Sequence, residues 1–396
     1  MWKGLLWKNR RLKGWKTNRL SAIRRHGLVA LACCILASRG AASAASHYQR
    51  TNLVSDLNGK AKTLDSKLVN PWGIARSPNS PWWVSDNGSG SSTLYNGIGQ
   101  PFPVGNALIV TIPPPPGETG TSAPTGVVFN GSSDFAVTPG NPARFIFVTE
   151  DGTISAWNGS VDMHNAMVKV SNPSVAVYKG VTIAMNGSVN YLYVANFRGE
   201  TVDVFDTNFA PFTFSATAFK DPNLPAGFAP FNVQNINGNV VVTFAKQDAE
   251  KHDDVAGAGL GFVDIFDPVG NLLMSLQSGP WLDAPWGVVM APADFGRFSH
   301  RLLIGNFGSG RIAAFDAQTG KFRGLLKGRR GHPIQIDGLW GLGFGNGGAA
   351  GPQNTLFFAA GIDDEQHGLF GSITSIARGG DHDDRDDDDD DDKDDN

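Results

Sequence analysis

Three features of the 396-residue sequence predict an all-β chain folded as a six-bladed β-propeller whose last blade is closed by the N-terminal strand. The first is a unit seen best from Asp283 to Asp316. There PWGVVMA, RLLIGN and RIAAFD are each bounded by Gly, Pro, Asn or Asp, the mark of short sheet strands. The second is the return of that unit. The position of Gly287 is matched by Gly73, Gly126, Gly180, Asn232 and Gly341, and in chain order the landmarks lie 53, 54, 52, 55 and 54 residues apart. A period near 50 with about four strands per unit is what a propeller blade requires. The third is composition: 49 Gly and 23 Pro with only 18% charged residues suit a turn-dense all-β body.

In chain order, residues 1–44 stand apart from that body. They carry ten Lys or Arg and no acid, then the apolar run Gly27 to Ser38, then Ala42-Ser43-Ala44, which fits a small-residue cleavage site. This reads as an export signal, because the apolar run is too short to span a bilayer. The two cysteines, Cys33 and Cys34, both fall inside it, so the mature body is expected to hold no disulfide and no thiolate chemistry. The expected organisation is a signal over 1–44, a propeller over 45–379 and a disordered Asp-rich tail over 380–396.

The mature N-terminus reads as one isolated strand, and the last repeat shows only three: LWGLGFG, NTLFFAAG and LFGSITSI. Closing the ring with the first strand removes two exposed sheet edges at once. Thr51 to Ser55 are therefore expected beside Ser372 to Ala377.

Within the repeat, Trp72, Trp286 and Trp340 precede the landmark glycine, with Phe231 in the equivalent place. Aromatics at a structural period wedge between blades, and a ligand platform at the mouth of the first strand is the alternative. Asn-Gly-Ser occurs at Asn87, Asn130, Asn158 and Asn186. It matches a glycosylation acceptor but is equally the preferred hairpin turn, and at these spacings the turn reading prevails.

Strands alternate in direction, so the loop entering each first strand and the turn between the second and third lie on one face of the disc. That face is expected to gather Asn70, Asp86, Asn87, Glu150, Asp151, Asn196, Arg198, Asp283, Asn306 and Asp337, with Trp72, Trp286 and Trp340 at the mouths of the first strands. A ring of carboxylates and amides suits a hard cation such as Ca²⁺, whose ligands are oxygens, although tight turns use Asp and Asn in any case. Two loops there are long. Ala245 to Gly259 holds Lys246, Gln247, Asp248, His252, Asp253 and Asp254, and Gly361 to Gly368 holds Asp363, Glu365 and His367. Each joins carboxylates to a histidine, a combination that serves acid/base chemistry, metal ligation or simple solvation. The candidate catalytic groups are His252, Asp253, Asp254, Glu365 and His367. The candidate ligand-binding face is Trp72, Asp86, Asn87, Arg198, Lys246, Gln247, Asp248, Trp286, Trp340 and Asp363. No motif in the chain names a reaction.

The net charge of −4 divides into +10 in the leader, −10 in Asp381 to Asn396 and −4 in the body. A body without a basic excess argues against nucleic-acid binding, which draws its affinity from phosphate neutralisation. The tail is a solvated polyacid suited to keeping the protein in solution.

The stretches YQRTNLVSDLNGKA, NPWGIA, AKQDAEKHDDVAGAGLGFVDIFD and LWGLGFGNGG with NTLFFAAG and HGLFGSI resemble a family of exported bacterial β-propellers of no established function, often ending in a PEP-CTERM sorting signal. More distantly the blade pattern is similar to NHL-repeat and gluconolactonase-like six-bladed propellers. No sorting signal follows Ala377, so a secreted or periplasmic monomer is expected. The first resemblance implies a binding module for a glycan, peptide, small molecule or envelope partner. The second implies a metal-dependent hydrolase or lactonase, with Ca²⁺ held by Glu150, Asn196 and Asn306 and a base from the His252 or His367 loop. Both readings stand on the sequence alone.

Overall fold

A computed structural model describes residues 47–376. The stretch read as an export signal and the Asp-rich tail lie outside the described residues. Among these, the only helical turns are two 3₁₀ turns, Asn87–Ser89 and Gly296–Phe298. The rest is sheet and loop, arranged as the six-bladed propeller that the repeat predicts.

Each blade is an antiparallel meander with its first strand innermost. The inner strands are Pro71–Ala75, Pro124–Phe129, Tyr178–Asn186, Phe228–Ile236, Pro285–Met290 and Leu339–Phe344. Each lies beside the inner strand of the next blade, and the sixth lies beside the first, so the ring is closed. Blade two carries an extra short hairpin, Ala136–Thr138 with Asn141–Pro142.

The core follows from the two-residue period of a strand, which sends successive side chains to opposite faces. Trp82 packs into the seam between blades six and one, while Trp83 packs into the seam between one and two. Leu192 and Tyr193 divide in the same way between the seams on either side of blade three, as do Phe357 and Phe358 on either side of blade six. Six buried clusters fill the six seams and a seventh lies on the axis. Strands buried on both faces read as near-continuous apolar runs, as WWV and FIFV do.

The landmark glycines sit where inner strands approach each other around the axis. A Cβ on Gly126 would lie 2.8 Å from the backbone N of Val181, one on Gly73 2.6 Å from Thr125 O, and one on Gly341 2.6 Å from Trp72 O. Backbone meets backbone at these points, so the repeat keeps glycine. Blade four has Asn232 instead, and its side-chain amide donates to Trp286 O at 2.7 Å, bridging to blade five.

The N-terminal strand does complete blade six, in a longer form than expected. His47–Ser55 runs antiparallel to His367–Ile376, with Thr51 opposite Ser372, Ser55 opposite Leu369 and His47 opposite Ile376. The residues after Thr51 therefore run back toward Gly368 rather than on toward Ala377. Leu53 and Val54 are buried against Trp82, Phe357 and Phe370. Thr63–Leu64 adds a short parallel strand outside it. The closure is pinned at both ends: Tyr48 Oη donates to Phe295 O at 3.0 Å and accepts from Phe298 N at 3.1 Å, and Asp56 accepts from Gly368 N at 2.8 Å.

The Asn-Gly-Ser sites are turns. Asn130 and Asn158 accept from the backbone N of Ser132 and Ser160 at 3.0 and 2.8 Å, and Gly187 takes φ +60 in the hairpin of blade three.

Candidate functional site

Of the residues before the landmark positions, Trp72, Phe231, Trp286 and Trp340 share the axial cluster and Lys179 lies over Trp72, while Thr125 Oγ1 donates to Tyr178 O at 2.8 Å. Trp72 stacks on Trp340 with centroids 3.5 Å apart, Phe307 stacks on the same indole at 4.0 Å, and Trp286 meets Trp72 and Trp340 edge-on at 6.2 and 5.8 Å. All three tryptophans are buried, so they close the channel as packing and do not form an open ligand platform. Two reach polar partners at their rims. Trp72 Nε1 donates to Asn70 Oδ1 at 3.1 Å and Trp340 Nε1 to Glu365 Oε1 at 3.2 Å, whereas the buried Trp286 Nε1 has no partner.

Lys179 is the one charged member of this axial ring. It is 1% exposed, and its ammonium lies 4.9 Å from the ring centre of Trp72 and 5.8 Å from that of Phe197. Nζ is bonded to Glu150 Oε1 and lies 3.5 Å from Asp253 Oδ1. Burial is the largest single influence and opposes the charge, but Glu150, Asp253 and Asp254 together outweigh it and hold the lysine above its ordinary pKa. Removing one partner of such a buried pair typically costs 3–5 kcal/mol. Lys179 is thus a fixed part of the centre.

The network continues into both neighbours. Glu150 Oε2 accepts from Asn87 Nδ2 at 2.8 Å, Asn87 Oδ1 accepts from Asn70 Nδ2 at 3.3 Å, and His252 Nδ1 lies 2.9 Å from Asp253 Oδ1. The Asp253 bond raises His252, and the same bond draws Asp253 down to about 2. Burial lifts Asp254 to about 7, with the charge of Glu365 adding to the lift. Burial likewise lifts Glu365 to about 7, with Glu150 adding. The two long loops therefore meet electrostatically over the axis. Asp254 Oδ2 is buried and bonded to nothing.

Local structure explains how the loops aim these groups. In the blade-four loop Asp248 Oδ1 accepts from His252 N at 2.8 Å, and Gln247 and Asp254 form an isolated bridge. In the blade-six loop Asp363, Asp364 and Glu365 have φ of 54, 51 and 63. Three consecutive left-handed non-glycine residues are costly, and such strain clusters at functional sites.

The structure brings together Asn87, Glu150, His252, Asp253, Asp254 and Glu365 from the sequence-predicted set. It separates the others. His367 Nδ1 is taken by Asp56 Oδ2 at 2.8 Å, which makes that histidine part of ring closure. Asp86 is fully buried and accepts from Thr93 N at 2.9 Å, and Gln247 is buried and donates to Phe197 O at 2.6 Å. Lys246 lies over the Phe228 ring at 5.6 Å, Asp248 caps its own loop, Arg198 is half-buried in the turn after Phe197, and Asp363 is exposed.

The cation set fares similarly. Asn196 Oδ1 accepts from Val177 N and Gly199 N at 3.3 and 2.9 Å, and Asn306 Oδ1 accepts from Asp283 N at 2.9 Å. Both amides are used by turns of the disc, and Glu150 is paired with Lys179, so Glu150, Asn196 and Asn306 do not fit a Ca²⁺ centre. A different group, Glu150, His252 and Asp253, has ligand atoms within 4.8 Å of one another. Lys179 already sits against two of these three. Two unit charges 4 Å apart interact by about 4 kcal/mol at an effective dielectric near 20, which weighs heavily against a second cation there.

Sequence reading placed Asn70 on this face but missed Lys179. The signal was present for Lys179: aligning Lys179-Gly180 with Trp72-Gly73 and Trp340-Gly341 places it on the axis.

Fold and site together define a six-bladed β-propeller with a buried lysine and carboxylate centre at its loop-face mouth. The chain is 31% identical over 348 residues to each of two uncharacterized proteins of Acanthamoeba polyphaga mimivirus, covering 84% of this chain and 82% and 87% of theirs. It belongs to the family these proteins represent. The relatives found are viral, where the sequence resemblance pointed to bacterial proteins. No protein-family model matches. Among solved structures the chain is similar to a streptogramin B lyase, with TM-score 0.48 and 10% identity over 84% of this chain and 99% of that one. It is also similar to an aldose sugar dehydrogenase from Streptomyces coelicolor, with TM-score 0.44 and 11% identity over 84% and 99%.

Proposed function

We propose that this propeller binds a small hydroxylated ligand, of glycan or polyol character, at the loop-face mouth of its axis. The observation that carries this reading is the Asn87–Glu150–Lys179–Asp253–His252 network with Asp254 and Glu365 beside it, drawn from five of the six blades. Near neutrality Asp254 and Glu365 each donate or accept. Paired donors and acceptors are what hydroxyl groups require. The leader composition supports export, so the ligand would be met in the periplasm or outside the cell, as an envelope partner or a free molecule. Finding the purified native chain unprocessed at Met1 and inside the cell would overturn that part.

The test is a thermal-shift panel of oligosaccharides, polyols and peptides on the wild type, Asp254→Asn and Glu365→Gln. A ligand that raises Tm in the wild type and binds at least tenfold more weakly to both variants supports the site. A panel of sugars and polyols with no effect, or one whose effect both variants keep, overturns it.

A second reading, hydrolysis, is favoured by one observation: Asp254 and Glu365 are both lifted to about 7 in a shared site, so one can hold a proton while the other accepts one. It would show as turnover of lactones or esters that is lost in both variants.

A further inference from the structure

We infer that Lys179 is the resident cation of the axial centre, standing where a divalent metal would otherwise sit and making the protein metal-independent. This holds whether the ligand is a polyol or something else. Glu150, His252 and Asp253 present two carboxylates and an imidazole with ligand atoms within 4.8 Å of one another, a donor set that suits a divalent transition metal. The ammonium of Lys179 is bonded to the first of these and lies 3.5 Å from the third, so it neutralises the carboxylates a metal would need. It cannot swing aside. The side chain is 1% exposed, with Trp72 and Phe197 against the ammonium and the next residue, Gly180, so close to Asn232 that a Cβ there would lie 2.8 Å from Asn232 Cα. A covalently attached charge differs from a metal in three ways: it is always present, it cannot be removed by chelators, and it donates hydrogen bonds instead of accepting lone pairs. Its use here is to hold the Glu150 and Asp253 loops together, and to place a permanent positive charge beneath the mouth.

The experiment compares metal content and Zn²⁺ and Mn²⁺ titrations of the full wild-type chain, Lys179→Ala, His252→Ala and the Lys179→Ala/His252→Ala double variant. For the wild type, chelator should leave Tm unchanged, and His252→Ala should not alter metal uptake. Ions held by the Asp-rich tail are common to all four proteins and cancel. Lys179→Ala should take up one further equivalent of Zn²⁺ or Mn²⁺, at least tenfold tighter than anything the wild type shows, and lose it again in the double variant. A wild-type ion that disappears in His252→Ala overturns the inference, as does a folded Lys179→Ala that gains no ion. If Lys179→Ala does not fold, the wild-type and His252→Ala comparison decides the question alone, since metal independence requires the two to be equal.

Discussion

At the scale of single residues, burial sets the chemistry of this molecule more than charge count does. Asp264, in the third strand of blade four, shows it away from the candidate site. Burial lifts its carboxyl to about 7, against hydrogen bonding from Ser275 that lowers it, and Oδ2 has no partner. A carboxyl whose folded pKa exceeds its unfolded one holds its proton in the folded state while the unfolded chain has released it. Stability therefore falls as pH rises from about 4 to about 7. At about 1.4 kcal/mol per pKa unit the loss approaches roughly 4 kcal/mol. Asp264→Asn should raise Tm at pH 8 by roughly 4–8 °C and change it little at pH 4. Scanning calorimetry at the two pH values checks this, and an equal effect at both would contradict it. Gly126 makes the complementary point about space. Its added methyl would meet backbone at 2.8 and 3.0 Å, which cannot rotate away. Gly126→Ala should therefore destabilise by roughly 1–3 kcal/mol, whereas a clash with a flexible side chain would be largely relieved.

At the scale of elements, the closing strand carries the whole ring. Tyr48 anchors it by donating to Phe295 O and accepting from Phe298 N. Tyr48→Phe keeps the ring packing but leaves a buried carbonyl and a buried amide unpaired, at about 1–3 kcal/mol for each buried group left unsatisfied. Denaturant unfolding should show that loss in a single transition. Deleting residues 47–57 should abolish the folded state, and a deletion protein with unchanged melting would refute closure by this strand. The need for such a strand was legible in the sequence because the last repeat came up one strand short. The glycine period was legible too, since backbone contact at the axis leaves no room for a Cβ. Its register was not, because VSDL and SITSI alternate well enough in several alignments, and only the seam contacts of Leu53 and Val54 choose among them. Site residues divided along the same line. Asp253, Asp254 and Glu365 stood out because their loops break the short-turn rule. Asn196 and Asn306 misled because an asparagine at a strand end looks alike whether it serves a ligand or its own turn. His367 misled because its partner, Asp56, lies 311 residues away in sequence.

At the scale of the whole molecule, the separate protonation equilibria add to a pH dependence that no single residue reveals. Asp254, Asp264 and Glu365 are all lifted to about 7, so each favours the folded state more as pH falls toward 4. His252 is raised by Asp253, and its contribution is complete below the unfolded histidine pKa and lost as pH climbs through the folded one. The sign is the same. Asp253 runs the other way: drawn down to about 2, it stabilises above the unfolded carboxylate pKa and loses that contribution as pH falls below about 4. The sum places maximum stability near pH 4–6, with a decline toward pH 8. Tm measured from pH 3 to pH 9 should trace that dome. Combining Asp254→Asn, Asp264→Asn and Glu365→Gln should make its alkaline side shallower, the remainder belonging to His252 and to Asp86, whose carboxyl burial raises. The acid side should stay in place, because the acid limb belongs to Asp253, Asp316 and Asp162 and not to the three lifted carboxyls. A Tm that rises steadily from pH 4 to pH 8 would mean that these carboxyls are ionised in the folded protein. The buried lysine centre would then carry two further negative charges, on Asp254 and Glu365.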